Sequence, residues 1–290
     1  MESLFVSELK PFYKQVQAHY DLSNDFFALF LDPSMMYSCA YWEAPGVTTL
    51  AEAQLAKIDL SLGKCDLKSG HRLLDIGCGW GGTIRRAVEK YGVRAVGLTL
   101  SENQAALVRA RLADLGDKVE VRLQGWEEFD EPVDRIVSIG AFEHFRQERY
   151  TAFFEKCHRI LPADGKMLLH SIVRPSLEEL NAKGLELKHE DVLFNKFILK
   201  SIFPGGQLRP RDVIIKYAEA GGFKVTRVHS LNTNYALTLD AWAKNLEAAH
   251  DKAVEITSQE VYDTYMHYLT GCARYFRSGH LDVVQFSLSK

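Results

Sequence analysis

Along the first seventy residues, apolar positions recur at helical spacing over Leu9–Tyr20, Ser23–Leu31 and Leu50–Leu62, while Asp32-Pro33 and Pro45-Gly46 interrupt them with turn-forming pairs. This predicts a cover of short amphipathic helices over residues 1–70. From His71 the rhythm changes. An apolar strand over Arg72–Ile76 is followed by a helix over Thr83–Tyr91, a strand over Val93–Leu98, and a helix capped by Ser101 with Gln104 at capping-box spacing. Val119–Leu123 and Val133–Ile139 read as further strands. Arg146–Leu161 reads as a helix that sets Tyr150, Phe153, Phe154, Cys157, Ile160 and Leu161 on one face. Lys166–Val173 is a fifth strand. Pro175–Pro204 then breaks the alternation as a helical insertion, its full extent taken as residues 175–210. After it come a helix over Arg211–Ala220, a strand over Phe223–Leu231, helical stretches through Arg277, and a last strand over Val283–Leu288.

Strands alternating with helices predict an α/β fold with a doubly wound, mostly parallel, seven-stranded sheet, in which ligands bind beyond the carboxyl ends of the strands. With 290 residues, 47% of them hydrophobic, and no repeat or proline-rich linker, one elaborated domain is expected. A net charge of -3 and the lack of a long basic run argue against a nucleic-acid partner. The five cysteines form no C-x-x-C pair and the N-terminus has no signal-peptide pattern, so a reducing, cytoplasmic setting is expected. No stretch reaches the roughly 18 to 20 apolar residues that cross a bilayer, which limits membrane contact to a peripheral one in a soluble protein. No metal site is expected.

Candidate chemistry begins at Leu73-Leu74-Asp75-Ile76-Gly77-Cys78-Gly79-Trp80-Gly81-Gly82, a glycine-rich loop between a strand and a helix. Gly77 and Gly79 suit close approach of a ligand, and Gly77 suits a positive φ. The spacing formally fits a dinucleotide loop through Gly82. Asp75 tips the balance, because a carboxylate repels a pyrophosphate but attracts a ligand with a sulfonium and an ammonium. Leu-Asp-Ile-Gly-Cys-Gly resembles motif I of the class I S-adenosylmethionine-dependent methyltransferases, which have a Rossmann-like fold. Where such enzymes usually carry an acidic residue after the second strand, this chain has Gly97-Leu98-Thr99-Leu100-Ser101-Glu102-Asn103-Gln104, and Thr99 with Gln104 are the candidates to bond a ribose. Gln124-Gly125-Trp126-Glu127, past the third strand, offers an aromatic face and a polar edge for an adenine; Trp126 as plain core is the alternative.

Further segments narrow the resemblance. Ala18-His19-Tyr20-Asp21-Leu22-Ser23, Tyr37-Ser38-Cys39-Ala40-Tyr41, the glycine loop, Gly97-Leu98-Thr99-Leu100-Ser101, Ser138-Ile139-Gly140-Ala141-Phe142-Glu143-His144-Phe145 and Tyr268-Leu269-Thr270-Gly271-Cys272 resemble the cyclopropane fatty acid synthase family, and within it the cyclopropane mycolic acid synthase branch. The resemblance spans nearly the whole chain. It implies methyl transfer from S-adenosyl-L-methionine to a double bond of a long acyl chain, giving a carbocation that closes to a cyclopropane or ends as a methyl branch. It places Tyr37 and Ser38 beside the cofactor. It also implies a bicarbonate or carbonate base held by Cys39, Glu143, His170 and Tyr235, with Glu143 ionised to accept a proton and His170 and Tyr235 donating. Tyr20 and Cys272 join the catalytic set by the same resemblance, although direct methyl transfer needs no covalent relay through a thiol.

A cation in a greasy channel calls for aromatic faces, each contributing about 2 kcal/mol at best. Tyr20, Tyr37, Phe142, Phe145 and Tyr235 are candidates, with burial in the core as the alternative for each. Val192–Phe203 carries Leu193, Phe194, Phe197, Ile198, Ile202 and Phe203 beside Lys196 and Lys200. Besides plain core packing, it could line an acyl channel, with Phe197 as its probe, or dock an acidic acyl carrier protein. Two rivals remain. An oxygen- or nitrogen-directed methyltransferase is disfavoured by Gly-Ala-Phe-Glu standing where an Asn-Pro-Pro-Tyr type of sequence would be, and a non-catalytic S-adenosylmethionine-binding protein is disfavoured by Glu143 and His170.

Overall fold

The computed structural model describes residues 9–11 and 23–290. Its first half contains α1 (Asn24–Ala28), α2 (Leu50–Gly63), β1 (Arg72–Ile76), α3 (Gly82–Tyr91), β2 (Arg94–Thr99), α4 (Glu102–Arg111), β3 (Val119–Leu123) and β4 (Arg135–Ile139). Then follow α5 (Tyr150–Ile160), β5 (Lys166–Val173), α6 (Leu177–Ala182), α7 (His189–Phe197) and α8 (Arg211–Ala220). The chain closes with β6 (Lys224–Ser230), α9 (Asn232–Ala248), α10 (His250–Ile256), α11 (Gln259–Ser278) and β7 (Asp282–Ser289).

The strands form one sheet in the order β3-β2-β1-β4-β5-β7-β6. The first five run parallel, and β7 runs antiparallel to both its neighbours. Central strands covered on both faces need near-continuous apolar runs, and β4 is buried at every position. One face packs Phe26, Phe27, Phe30, Trp80, Trp242 and Leu269; the other packs Trp126, Phe142, Tyr150, Phe153, Phe154 and Phe223. Among the described residues, no helix is long and apolar enough to cross a membrane.

Several boundaries differ from the sequence reading for local reasons. The predicted helix Leu9–Tyr20 lies largely outside the described residues, and Leu9–Pro11 carry no regular structure. Ser23 accepts from the Phe26 amide as a helix cap, but α1 stops at Ala28 rather than Leu31. Val93 and Val133 precede their strands. The helix expected from Arg146 starts at Tyr150, because Arg146 has φ +60°, outside helical geometry, and a short 3-10 turn over Gln147–Arg149 intervenes. The insertion holds α6, α7 and a π-helical turn at Ile198–Ile202. The capping box at α4 is half present: Ser101 accepts from the Gln104 amide, but the Gln104 side chain engages Thr99 instead.

Candidate active site

Two cavities open beyond the carboxyl ends of the parallel strands. The first is lined by the β1–α3 loop, the ends of β2 and β4, and the segment before α2. Gly77 has φ +82° and a Cβ there would stand 2.5 Å from the Ala141 Cβ, so the protein itself demands glycine at this turn. Gly79, at φ +53°, is different: a Cβ there would meet no protein atom within 4 Å, which leaves that side open for a ligand.

Asp75 lies on this wall, and burial pushes its carboxyl up to about 7. The charge opposing that rise is Lys57, fully buried on α2, itself brought down to about 8 by burial. The Lys57 ammonium donates to the Ser38 hydroxyl at 2.7 Å, and Gln54 donates to the Ser38 carbonyl at 2.8 Å. Thus α2 fixes the Tyr37-Ser38 segment from behind. At the end of β2 the Thr99 hydroxyl donates to Gln104 Oε1 at 2.8 Å, so both face a ligand as one hydrogen-bonded pair. Trp126 closes another side, packed against Phe145 and Phe153.

Of the expected cofactor residues, Tyr37, Ser38, Asp75, Gly77, Gly79, Thr99, Gln104 and Trp126 line this cavity. Glu127 does not. Its Oε1 pairs with Arg149 at 2.8 Å while Oε2 is buried without a hydrogen-bond partner, and Gln124 is the polar residue that lines the cavity beside Trp126.

The second cavity, about 430 Å³, lies between the sheet end, the insertion and α9 with α11. Cys39, Glu143, His170, Tyr235 and Cys272 all line it. Glu143 Oε1 accepts from the Ile172 amide at 2.6 Å, while Oε2 is buried with no protein partner. Burial pushes this carboxyl up to about 7, well above the ordinary value for a glutamate. His170 is held neutral by burial and by the charges of Lys57 and Lys64, and its Nε2 is likewise buried without a protein partner. Burial raises both thiols, that of Cys272 to about 12, so neither is a ready nucleophile.

Tyr20 lies outside the described residues. Phe142 is core, stacked on Tyr150 with centroids 4.3 Å apart, and lines neither cavity; Phe145 lines the first. On the insertion, Phe194, Ile198, Leu199 and Phe203 line the second cavity, whereas Phe197 turns toward His267 on α11, 4.6 Å between rings. Reasoning from the sequence missed His144, which burial brings down to about 4, and missed Tyr268 and Lys57. Tyr37, Ser38, Gly140 and His144 line both cavities and so form the wall where they meet.

The family model for mycolic acid cyclopropane synthetase matches residues 7–286. Cyclopropane mycolic acid synthase 3 of Mycobacterium tuberculosis is 61% identical over 285 residues, covering 98% of this chain and 99% of that protein. The structure of the cyclopropane synthase MmaA2 from Mycobacterium tuberculosis superposes with a TM-score of 0.95 at 52% identity, covering 98% of this chain and 100% of that one. The structure of the mycolic acid cyclopropane synthase CmaA1 complexed with SAH and CTAB gives 0.93 at 56% identity, with coverage of 98% and 100%.

Proposed function

Since the chain belongs to the mycolic acid cyclopropane synthetase family, we propose that it transfers a methyl group from S-adenosyl-L-methionine to a double bond of a long, mycolic-type acyl chain. The observation that carries this reading is the shared wall: a cavity built for a cationic nucleoside ligand meets an apolar cavity at Tyr37, Ser38, Gly140 and His144. S-adenosyl-L-methionine supplies an electrophilic methyl on a sulfonium. Asp75 suits its positive charge, Thr99 with Gln104 its ribose, and Trp126 its adenine. The relative solved with SAH supports the same assignment.

The alkene's π electron pair forms the new carbon–carbon bond, and the sulfur leaves with the electrons of the bond it loses. The substrate carbocation then loses a proton. Tyr37, Tyr235 and Tyr268 line the apolar cavity near that charge. Bicarbonate fits as the base in the second cavity, because Glu143 Oε2 and His170 Nε2 are buried polar atoms that no protein group satisfies. Glu143 would accept its proton, while His170 and Tyr235 would donate to its oxygens; Cys39 and Cys272 border the same space. Cyclopropane and methyl-branched products both follow from this cation.

The chain acts as one methyltransferase domain in this reading, with residues 1–70 as cover and 175–210 as lid. The acyl group rides on an acyl carrier protein, docked near Lys196 and Lys200. Labelled methyl transfer to unsaturated acyl substrates, on carrier and as free lipid, tests the function. Glu143→Gln should abolish turnover and leave S-adenosylhomocysteine binding within a few-fold by calorimetry. Normal product yield from that variant, or no binding heat from the wild type, would overturn the reading.

A further inference from the structure

His170 on β5 stands directly opposite Gln285 on β7, which in turn stands opposite His229 on β6. Side chains opposite one another in a sheet share a face. Gln285 and His229 both meet Lys64, the residue that ends α2. The Lys64 ammonium donates to Gln285 Oε1 and to His229 Nδ1. An ammonium has donors only, so the oxygen of the Gln285 amide must face it and the Nε2 hydrogens must face the other way.

Ser61 supports the same orientation. Its hydroxyl hydrogen goes to the Lys57 carbonyl at 2.8 Å, leaving the oxygen to accept from Gln285 Nε2 at 2.9 Å. The remaining hydrogen of Gln285 Nε2 points to His170 Nδ1, 3.2 Å away. A ring nitrogen that accepts a hydrogen bond carries no proton, so a neutral imidazole must carry its proton on the other nitrogen.

We propose that Gln285, oriented by Lys64 and Ser61, is a positioning residue that fixes His170 in the tautomer protonated on Nε2. The ring thereby presents a hydrogen-bond donor to the larger cavity. Glu143, with Oε2 also unpartnered, lines the same cavity and offers a complementary acceptor. The inference deepens the functional reading above and rests on it for its effect on turnover, while the tautomer itself can be measured without any substrate.

The test is long-range proton–nitrogen correlation NMR on protein labelled with nitrogen-15 at histidine, with the His170 signals assigned by their loss in His170→Gln. Wild type should show one neutral form protonated on Nε2. An Nδ1-protonated form, or a mixture of the two, would overturn the proposal. Gln285→Glu places an acceptor beside Nδ1 and should move a proton onto it; an Nδ1 that stays bare in this variant also refutes the idea. Should Gln285→Glu fail to fold, judged by S-adenosylhomocysteine binding, Lys64→Met serves, because it frees the amide to turn and should produce a mixed population. An unmixed Nε2 form in Lys64→Met would refute the role given to Lys64. Turnover in Gln285→Glu should fall on the order of tenfold or more, the scale of a hydrogen bond lost at a charged group, with cofactor affinity within a few-fold. A switched tautomer with unchanged turnover would uphold the positioning role and count instead against His170 as a donor in the reaction.

Discussion

Asp75 and Glu143 are two buried carboxyls, one in each cavity, and burial raises both to about 7. For Asp75 the consequence is a pH-dependent affinity. A cationic ligand prefers the carboxylate, so S-adenosylmethionine binding should weaken as pH falls below about 7, approaching tenfold per pH unit. Asp75→Asn should flatten that profile, and Lys57→Met, by removing the charge that holds Asp75 down, should shift its midpoint to higher pH. A profile unchanged in both variants would show that another group controls binding. For Glu143 the consequence is also one of stability. In the unfolded chain it loses its proton at the ordinary value of 4.5, in the folded protein at about 7, so folding is opposed increasingly through that window and fully above it. Glu143→Gln, expected to be inactive, should therefore raise the melting temperature near pH 8 by about 2 °C or more, with little gain near pH 4.5. Asp75 was legible in the sequence because a carboxylate at that spacing from two glycines serves few purposes. The side-chain direction of Glu127 was not legible, since a polar residue beside an aromatic reads the same whichever way its side chain turns, and Arg149 is remote in sequence.

The elements themselves show where periodicity stops being informative. Along α2, Gln54, Lys57 and Ser61 recur at the spacing that normally marks a solvated stripe, yet all three are fully buried. They hold the Tyr37-Ser38 segment and, through Ser61, Gln285; only the tertiary partner distinguishes this buried polar stripe from a surface one. Conversely, Gly271 breaks a rule that the structure explains. Glycine inside α11 costs about 1 kcal/mol relative to alanine, but a Cβ there would lie 2.3 Å from the Phe194 ring. That ring lines the larger cavity and stacks on Tyr275, with centroids 4.9 Å apart. Gly271→Ala must push Phe194 aside at an overpacking cost of about 1–3 kcal/mol, offset in part by better helix propensity. The expected outcome is a modest change in melting temperature together with an altered acyl-chain preference, read from competing substrates of different length. Cofactor affinity should not move; equal loss of cofactor and acyl substrate would point to general unfolding of α11 instead.

At the scale of the whole molecule, the alternation of strands and helices from residue 71 to 173 was enough to give the parallel half of the sheet, because each crossover leaves both a period-two and a helical signature. The order of the last strands was not readable. That β7 inserts antiparallel between β5 and β6 depends on β5–β7 pairings across more than a hundred residues, and it is this insertion that sets Gln285 against His170. Ligand binding should be felt across the fold, since the first cavity is walled by the segment before α2 as well as by the sheet. At a hundredfold excess over its dissociation constant, S-adenosylhomocysteine should add about 2.7 kcal/mol to stability, measured by denaturant titration; no shift would exclude it as a ligand. The wall formed by Tyr37, Ser38, Gly140 and His144 has one more consequence, for inhibitor design. A single compound joining an adenosyl head to a hydrocarbon tail through a tether across those four residues would make its second capture intramolecular, and its potency should exceed that of either half by orders of magnitude.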